Sequence, residues 1–229
     1  MFLSVCDTTI RERGLPAFGG AGGDQGWAEG TVRILNPLGF HGSVVFASAP
    51  SVQGAELRLA LSLLQALAGL DPSWCAPVDE NEFTLQKSAL GAPFLLAGER
   101  PGPSLSFSHG KGRLWAAMSG KGDVGMDVAH PEEFAGAYPF RRAFRTEELE
   151  CAEAICPGDT ARGAALMWAA KEAAVKATGT GFNLFDPLEV RVGKPFVREE
   201  GILFEVLADR PIPTWVTTEG MGWLAVALA

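Results

Sequence analysis

The 229-residue sequence predicts an α+β fold made of two similar α+β halves packed about a pseudo-twofold axis. Two helical stretches, near 55–69 and 160–178, are each followed by short apolar runs separated by Gly and Pro. That is how a helix joined to a small antiparallel sheet reads. Residue matches recur in the same order: "LGAPF" (90–94) returns as "VGKPF" (192–196), and "RLWAAM" (113–118) resembles "GWLAVA" (222–227). Shared order and similar spacing point to an internal duplication, with halves at 1–120 and 121–229 joined near "SGKGDVG". Halves arranged in this way leave a cleft between them, a usual place for a ligand.

Taken in order, "MFLSVCDTTIRERG" lacks the basic-then-apolar layout of a signal peptide. Residues 14–30 hold seven glycines but no lysine and no following Gly-Lys-Ser/Thr, so this stretch reads as a surface loop rather than a phosphate cradle. Leu57, Leu61, Leu64 and Leu67 fall at helical spacing, and Gly69 and Pro72 stop that helix. The stretch is too short, and with Arg58 and Gln65 too polar, to span a membrane. "FTLQKSAL", "SLSFS" and "RLWAAMS" read as strands. In the second half a helix at 160–178 precedes "LEVRVGKPFV", "ILFEVLA", "TWVTT" and "GWLAVALA", again strands broken by turns.

A formal charge of −8 argues against a general nucleic-acid binder, which needs a surplus of Lys and Arg along one face. Any anionic ligand must then meet a local basic cluster. Cys6, Cys75, Cys151 and Cys156 show neither zinc-type pairs nor the density of a secreted scaffold, so they read as thiols and the protein as cytoplasmic. It is read as a monomer with no membrane partner.

Four stretches bear on chemistry. "GKGDVG" (120–125) fits G-x-G-x-x-G, yet a strand rather than a helix follows it, so it reads as a turn and not as a dinucleotide site. In "SLSFSHGKGR", Ser106 and Ser108 face away from Leu105 and Phe107, and His109, Lys111 and Arg113 follow at one strand end. The pattern fits either a phosphate site or a solvated hairpin. In "DVGMDVAHPEEF", Asp127 is expected on the face opposite Val124, Met126 and Val128. On a helix, Trp168, Glu172 and Lys176 share one stripe, with Lys171 off it. The pair alone could be an exposed i,i+4 bridge. A tryptophan on the same stripe implies partial burial, where an acid and an ammonium need a counter-charge or a ligand.

The order F-S-H, G-x-D-x and W-x-x-K-E-x-x-x-K-x-x-G-x-G, carried here by "FSH", "VGMDV" and Trp168, Lys171, Glu172, Lys176, Gly179 and Gly181, resembles the 4′-phosphopantetheinyl transferase superfamily, surfactin-synthetase-activating type. "RAFRTEELE" (142–150) resembles another of its segments, and the likeness covers about residues 90–200. It implies the pseudo-dimeric fold of that family. It also implies Mg²⁺-dependent transfer of the phosphopantetheine arm from coenzyme A to a serine of an apo acyl or peptidyl carrier protein, releasing adenosine 3′,5′-bisphosphate. By the same matching Asp127 and Glu172 hold Mg²⁺, and Glu172 or a water it orients takes the serine proton. Lys176 stabilises the diphosphate, and Ser108 and His109 hold the nucleotide phosphates; Lys171 and Arg58, the latter not anchored by the motifs, are further candidates for contact with the coenzyme.

Two departures stand out. The family's usual second acid is replaced by Ala129, with His130, Glu132 and Glu133 following, and "GAP" (91–93) lacks the lysine often found there. A water or Glu132 could fill the metal position. The alternatives are a degenerate relative that binds coenzyme A or a carrier without efficient transfer, and an interaction module whose Glu172 and Lys176 merely pair. Arg141, Arg142 and Arg145 in "PFRRAFR" read as a solvated turn or a docking patch for an acidic carrier, and Phe140 and Phe144 as core or contact residues.

Overall fold

The computed structural model describes residues 9–14, 31–36, 43–74 and 79–229. Cys6, Cys75 and the glycine-rich stretch after Gly14 lie outside the described residues. The first part of the chain forms β1 (Thr9–Gly14), β2 (Thr31–Asn36), β3 (Val44–Pro50), α1 (Ala55–Ala68), β4 (Phe83–Lys87), β5 (Pro93–Ala97), β6 (Arg100–Gly110) and β7 (Arg113–Ser119). The second part forms β8 (Val124–Ala129), α2 (Phe140–Ala143), α3 (Thr146–Ile155), α4 (Thr160–Ala177), β9 (Arg191–Val192), β10 (Phe196–Arg198), β11 (Gly201–Leu207), β12 (Pro211–Glu219) and β13 (Gly222–Leu228). The fold is mixed α+β, as the sequence predicts.

Among the described residues the strands make two antiparallel sheets, ordered β1-β2-β3-β7-β6-β5-β4 and β10-β11-β12-β13-β8, with β9 also paired to β11. A common plan runs through both. A strand (β3 or β8) leads into a helix (α1 or α4), and the last strand of the set (β7 or β13) returns to pair beside the first. The match between "RLWAAM" and "GWLAVA" falls on equivalent strands, β7 and β13. The Gly-x-Pro match does not: it precedes β5 in one sheet and β10 in the other, which hold different places in the strand order. Gly-x-Pro is common turn chemistry, and it recurs wherever a chain must reverse.

Each strand next to its helix is buried on both faces. In β3 and β7, Val45, Ala47, Leu114, Ala116 and Met118 pack under α1 against Leu59, Leu63 and Leu67. The alternate residues Val44, Phe46, Trp115 and Ala117 meet Met126, Val128, Trp215, Leu224 and Val226 of the other sheet. On the far side, Ala225 and Ala227 of β13 pack under α4. The order of layers is therefore helix, sheet, sheet, helix. Double burial explains why "RLWAAM" and "GWLAVA" read as continuous apolar runs without alternation.

Two local features set the position of α4. Its buried surface is rich in small residues, Ala164, Ala165, Ala169, Ala170, Ala173, Ala174 and Ala177, which lets the helix axis approach β8 closely. At Gly125 the approach is closest, and a Cβ there would fall inside the contact distance of Ala173 O and Ala177 N. The other feature is the free edge of β8. Its amides Val124 N, Met126 N and Val128 N donate to Ser104 Oγ, Ser106 Oγ and Ser108 Oγ of β6 at 2.9, 3.0 and 3.1 Å. A row of hydroxyls thus satisfies buried amides that would otherwise lack partners.

Cys151 and Cys156 are free thiols, and burial pushes both above the ordinary thiol range. Among the described residues no helix is long and apolar enough to cross a membrane. Gly125→Ala should destabilise the protein by about 1–3 kcal/mol or more in chemical denaturation, because backbone rather than a flexible side chain blocks the new methyl.

Candidate active site

Asp127 sits in the middle of β8, opposite Ala225. It lies on the face opposite Val124, Met126 and Val128, as the alternation predicts, but that face is covered as well. Asp127 points to the α4 side with Gly125 and Ala129 and is only 6% exposed. Its Oδ1 accepts from Ser108 Oγ at 2.9 Å and from Lys176 Nζ at 2.7 Å. Lys176 Nζ also lies 3.5 Å from Glu172 Oε2. Two acids far apart in the chain therefore converge on a single ammonium.

Between Gly163 and Ala177 every residue of α4 is buried except Trp168, Glu172 and Lys176. The stripe read from the sequence is the only opening along that length of the helix. At its upper end Trp168 stacks on Phe182, centroids 5.1 Å apart, and meets Phe134 and Phe144 at 6.4 and 6.3 Å. Phe144 is core, and Phe140 packs against it. These aromatics wall the stripe at that end.

One ammonium between two carboxylates leaves a net negative charge in a half-buried place. Burial pushes the Glu172 carboxyl above the ordinary carboxylate range; Lys176 opposes this, and Asp127 and Glu133 add to it. Burial works to lower the Lys176 ammonium, yet Asp127 and Glu172 outweigh it and hold its pKa above the ordinary lysine value. Oxygen donors that jointly hold one cation and carry surplus negative charge suit a hard divalent ion, which takes one or two carboxylates and fills its remaining places with water and phosphate oxygens. No group of three or more His, Cys, Asp or Glu side chains suited to a metal occurs among the described residues.

Lys176 also lines a cavity of about 530 Å³, whose walls include Glu56, Lys87, His109, Gly179 and Gly181. His109 is half exposed there, its Nε2 3.9 Å from Glu56 Oε1. Ser108 is buried, its hydroxyl engaged by Asp127 and by Val128 N; it positions Asp127 rather than facing the cavity. Arg58 donates to Gln53 O at 3.1 Å, away from the cavity walls.

Lys171 is not brought to the crevice. It is fully buried, and its Nζ is engaged by Glu148 Oε2 at 2.7 Å, Ala143 O at 2.9 Å and Pro187 O at 2.8 Å. Glu148 in turn accepts from Val192 N and Arg145 N, so the pair fastens α3 and α4 to the edge of the second sheet. An ammonium so occupied has no donor left for a phosphate.

The other basic residues of "SHGKGR" have protein partners as well. Lys111 (φ 49°) and Gly112 (φ 73°) form a two-residue hairpin turn between β6 and β7. Lys111 Nζ lies 2.8 Å from Glu132 Oε1, and Arg113 donates to Ser48 Oγ. Glu132, suggested above for a metal position, is thereby paired with Lys111. Glu133, which the sequence does not single out, is, after Asp127, a further acid whose charge reaches Glu172; its Oε1 accepts from His130 N at 2.8 Å. Arg145 is also engaged, donating to Leu188 O at 2.6 and 2.8 Å, which leaves Arg141 and Arg142 exposed.

Residues 123–213 match the family model of the 4′-phosphopantetheinyl transferase superfamily. The span runs from the start of β8 into β12 and contains Asp127, Glu172 and Lys176. It supports phosphopantetheine transfer in general as the class of activity. No curated protein matches the chain.

Two outcomes follow from the charges. A carboxyl whose folded pKa is raised binds protons more readily folded than unfolded, so stability declines as pH rises above about 4.3 toward the folded value. Glu172→Gln should therefore raise the melting temperature of the metal-free protein at neutral pH, whereas loss of an ordinary surface pair would lower it slightly. Lys171→Met, which strands the buried Glu148 carboxylate, should cost about 3–5 kcal/mol in denaturant unfolding.

Proposed function

We propose that the protein transfers the 4′-phosphopantetheine arm of coenzyme A to a serine of an apo acyl or peptidyl carrier protein, with Mg²⁺ bound by Asp127 and Glu172. The observation that carries this reading is the convergence of both acids on Lys176, which itself lines the cavity. Mg²⁺ held by the two carboxylates supplies charge neutralisation at a diphosphate. Lys176, released from its internal partners, meets the diphosphate from the cavity side and stabilises charge on the leaving group. Ser108 holds the Asp127 carboxylate in place, and His109 contacts the nucleotide phosphates.

Glu172, with its raised pKa, takes the proton of the carrier serine directly or through one water. The serine oxygen bonds to the phosphorus bearing the pantetheine arm. The bond from that phosphorus to the bridging oxygen breaks, and adenosine 3′,5′-bisphosphate leaves with the electron pair. Arg141 and Arg142 offer an acidic carrier a local positive patch on a chain of net charge −8. The surfactin-synthetase-activating branch and the pseudo-twofold axis belong to this proposal, as does the cytoplasmic setting.

The test incubates the protein with coenzyme A, Mg²⁺ and a panel of apo carriers, and then weighs the carriers. One added phosphopantetheine arm is expected, with the rate reduced about 100-fold or more by Glu172→Ala or Asp127→Ala. Mg²⁺ should raise the melting temperature of the wild type, and by less in Asp127→Asn. Ala129, buried beside Asp127 on the α4 face, favours a second reading in which coenzyme A binds without transfer. Binding with no mass change across the panel would establish that one.

A further inference from the structure

The second sheet ends on β8 at one side and on β10 at the other. The β8 edge is finished by the serines of β6, whereas among the described residues β10 pairs with β11 alone. In that hairpin Arg198 stands opposite Gly201 across a two-residue turn of Glu199 and Glu200. Residues that flank such a turn exchange main-chain hydrogen bonds, and the next pair to do so is Phe196 with Leu203. Val197, opposite Ile202 between those two pairs, therefore turns its N–H and C=O outward. Val197 is 67% exposed and Phe196 55%. A short strand beside a proline and flanked by charges is a common way to discourage pairing at an edge, but it works against a second copy only when like charges meet. Here they do not. When the edge is set antiparallel to a copy of itself about Val197, Phe196 falls opposite Arg198 and Lys194 opposite Glu200. Each pairing occurs twice and each is attractive; within one chain Arg198 already lies over the Phe196 ring at 4.3 Å. A centre at Phe196 would instead set Lys194 against Arg198, and a centre at Arg198 would set that cation against itself.

We propose that β10 is a self-association edge: two copies of the chain join through it about a two-fold axis at Val197, so that one antiparallel sheet runs across both. The N–H of Val197 donates to the Val197 C=O of the copy, and the copy returns the same bond. Pro195, which has no N–H to give, still accepts through its C=O from the Glu199 N–H of the copy. The contact covers Val197 on both chains and places each Phe196 ring beside the arginine opposite it. Few residues take part, so the interface lies at the small end of the specific range and the dimer is weak and reversible. It takes the place of the expected monomer when the chain is concentrated. Four strand spacings, roughly 19 Å, separate β10 from β8, so the contact leaves the candidate active site alone and does not depend on the transferase reading.

Sedimentation equilibrium of the full-length chain over a concentration series tests this. For the wild type the average mass should rise from that of one chain toward that of two. Val197→Pro removes the donated N–H without touching a bond to β11, at the kind of edge position where a strand accepts proline. It should stay a single chain at every concentration, with an unchanged melting temperature. Lys194→Glu and Glu200→Lys each set like charges opposite one another, and each alone should weaken self-association about tenfold or more. Mixed in equal amounts, those two variants should associate with each other, because opposite charges then meet at both contacts. The mixture keeps the test decisive even if Val197→Pro lowers the melting temperature. A single-chain mass for the wild type throughout the series would overturn the proposal and leave the edge to a different partner. A dimer that all three variants leave intact, or a mixture no more associated than its components, would overturn it by placing the contact elsewhere.

Discussion

The carboxylate of Asp127 is the junction on which the site depends. It is buried between a sheet and a helix, and one of its oxygens accepts from Ser108 of the first sheet and from Lys176 of α4. A charge in that position is tolerable only with partners that satisfy it. The partners come from two other elements, β6 and α4. Holding Asp127 thus holds the two sheets and the helix in one relative arrangement.

The serines of β6 extend this control along the whole edge of β8. Ser104, Ser106 and Ser108 each take one β8 amide, so the strand is gripped at alternate residues by side chains of the opposite sheet. This is an unusual way to finish a sheet edge, since a hydroxyl rather than a neighbouring carbonyl accepts. Its consequence for the site is positional. Ser108 both accepts from Val128 N and donates to Asp127, so edge pairing and orientation of the acid are one feature.

On the other side, small residues decide what α4 can present. Alanines and the absent side chain of Gly125 bring the helix so near the sheet that almost its whole circumference is buried. The stripe of Trp168, Glu172 and Lys176 is what remains open. Close packing also accounts for the charge state. The acids and the ammonium sit where water is scarce, which raises the pKa of Glu172 and leaves the group short of positive charge. The fold thus stabilises the negative groups of the site incompletely.

Much of this was legible in the chain. Helical spacing and turn residues marked α1, α4 and the strands after each, since these signals are local and the structure keeps them. The i,i+4 stripe on α4 was legible for the same reason: a helix places its residues by its own geometry, whatever surrounds it. Spacing could not tell which polar residues had protein partners. Lys171 and Glu172 are neighbours in sequence, yet one is locked in a buried ion pair with Glu148 and the other faces the opening. Ser106, Ser108, Lys111 and Arg113 fitted either a phosphate site or a solvated hairpin, and spacing could not show that the first two bond β8 and the others Glu132 and Ser48.

The sequence by itself determined α1, α4, the strands that follow them and the open face of α4, because each follows from periods of a few residues along one segment. Tertiary structure alone decided that Asp127 is buried, that it meets Glu172 across Lys176, and which cations remain for a ligand. Those outcomes depend on which atoms from distant segments come within about 3 Å of one another, and no spacing within a single segment encodes that distance.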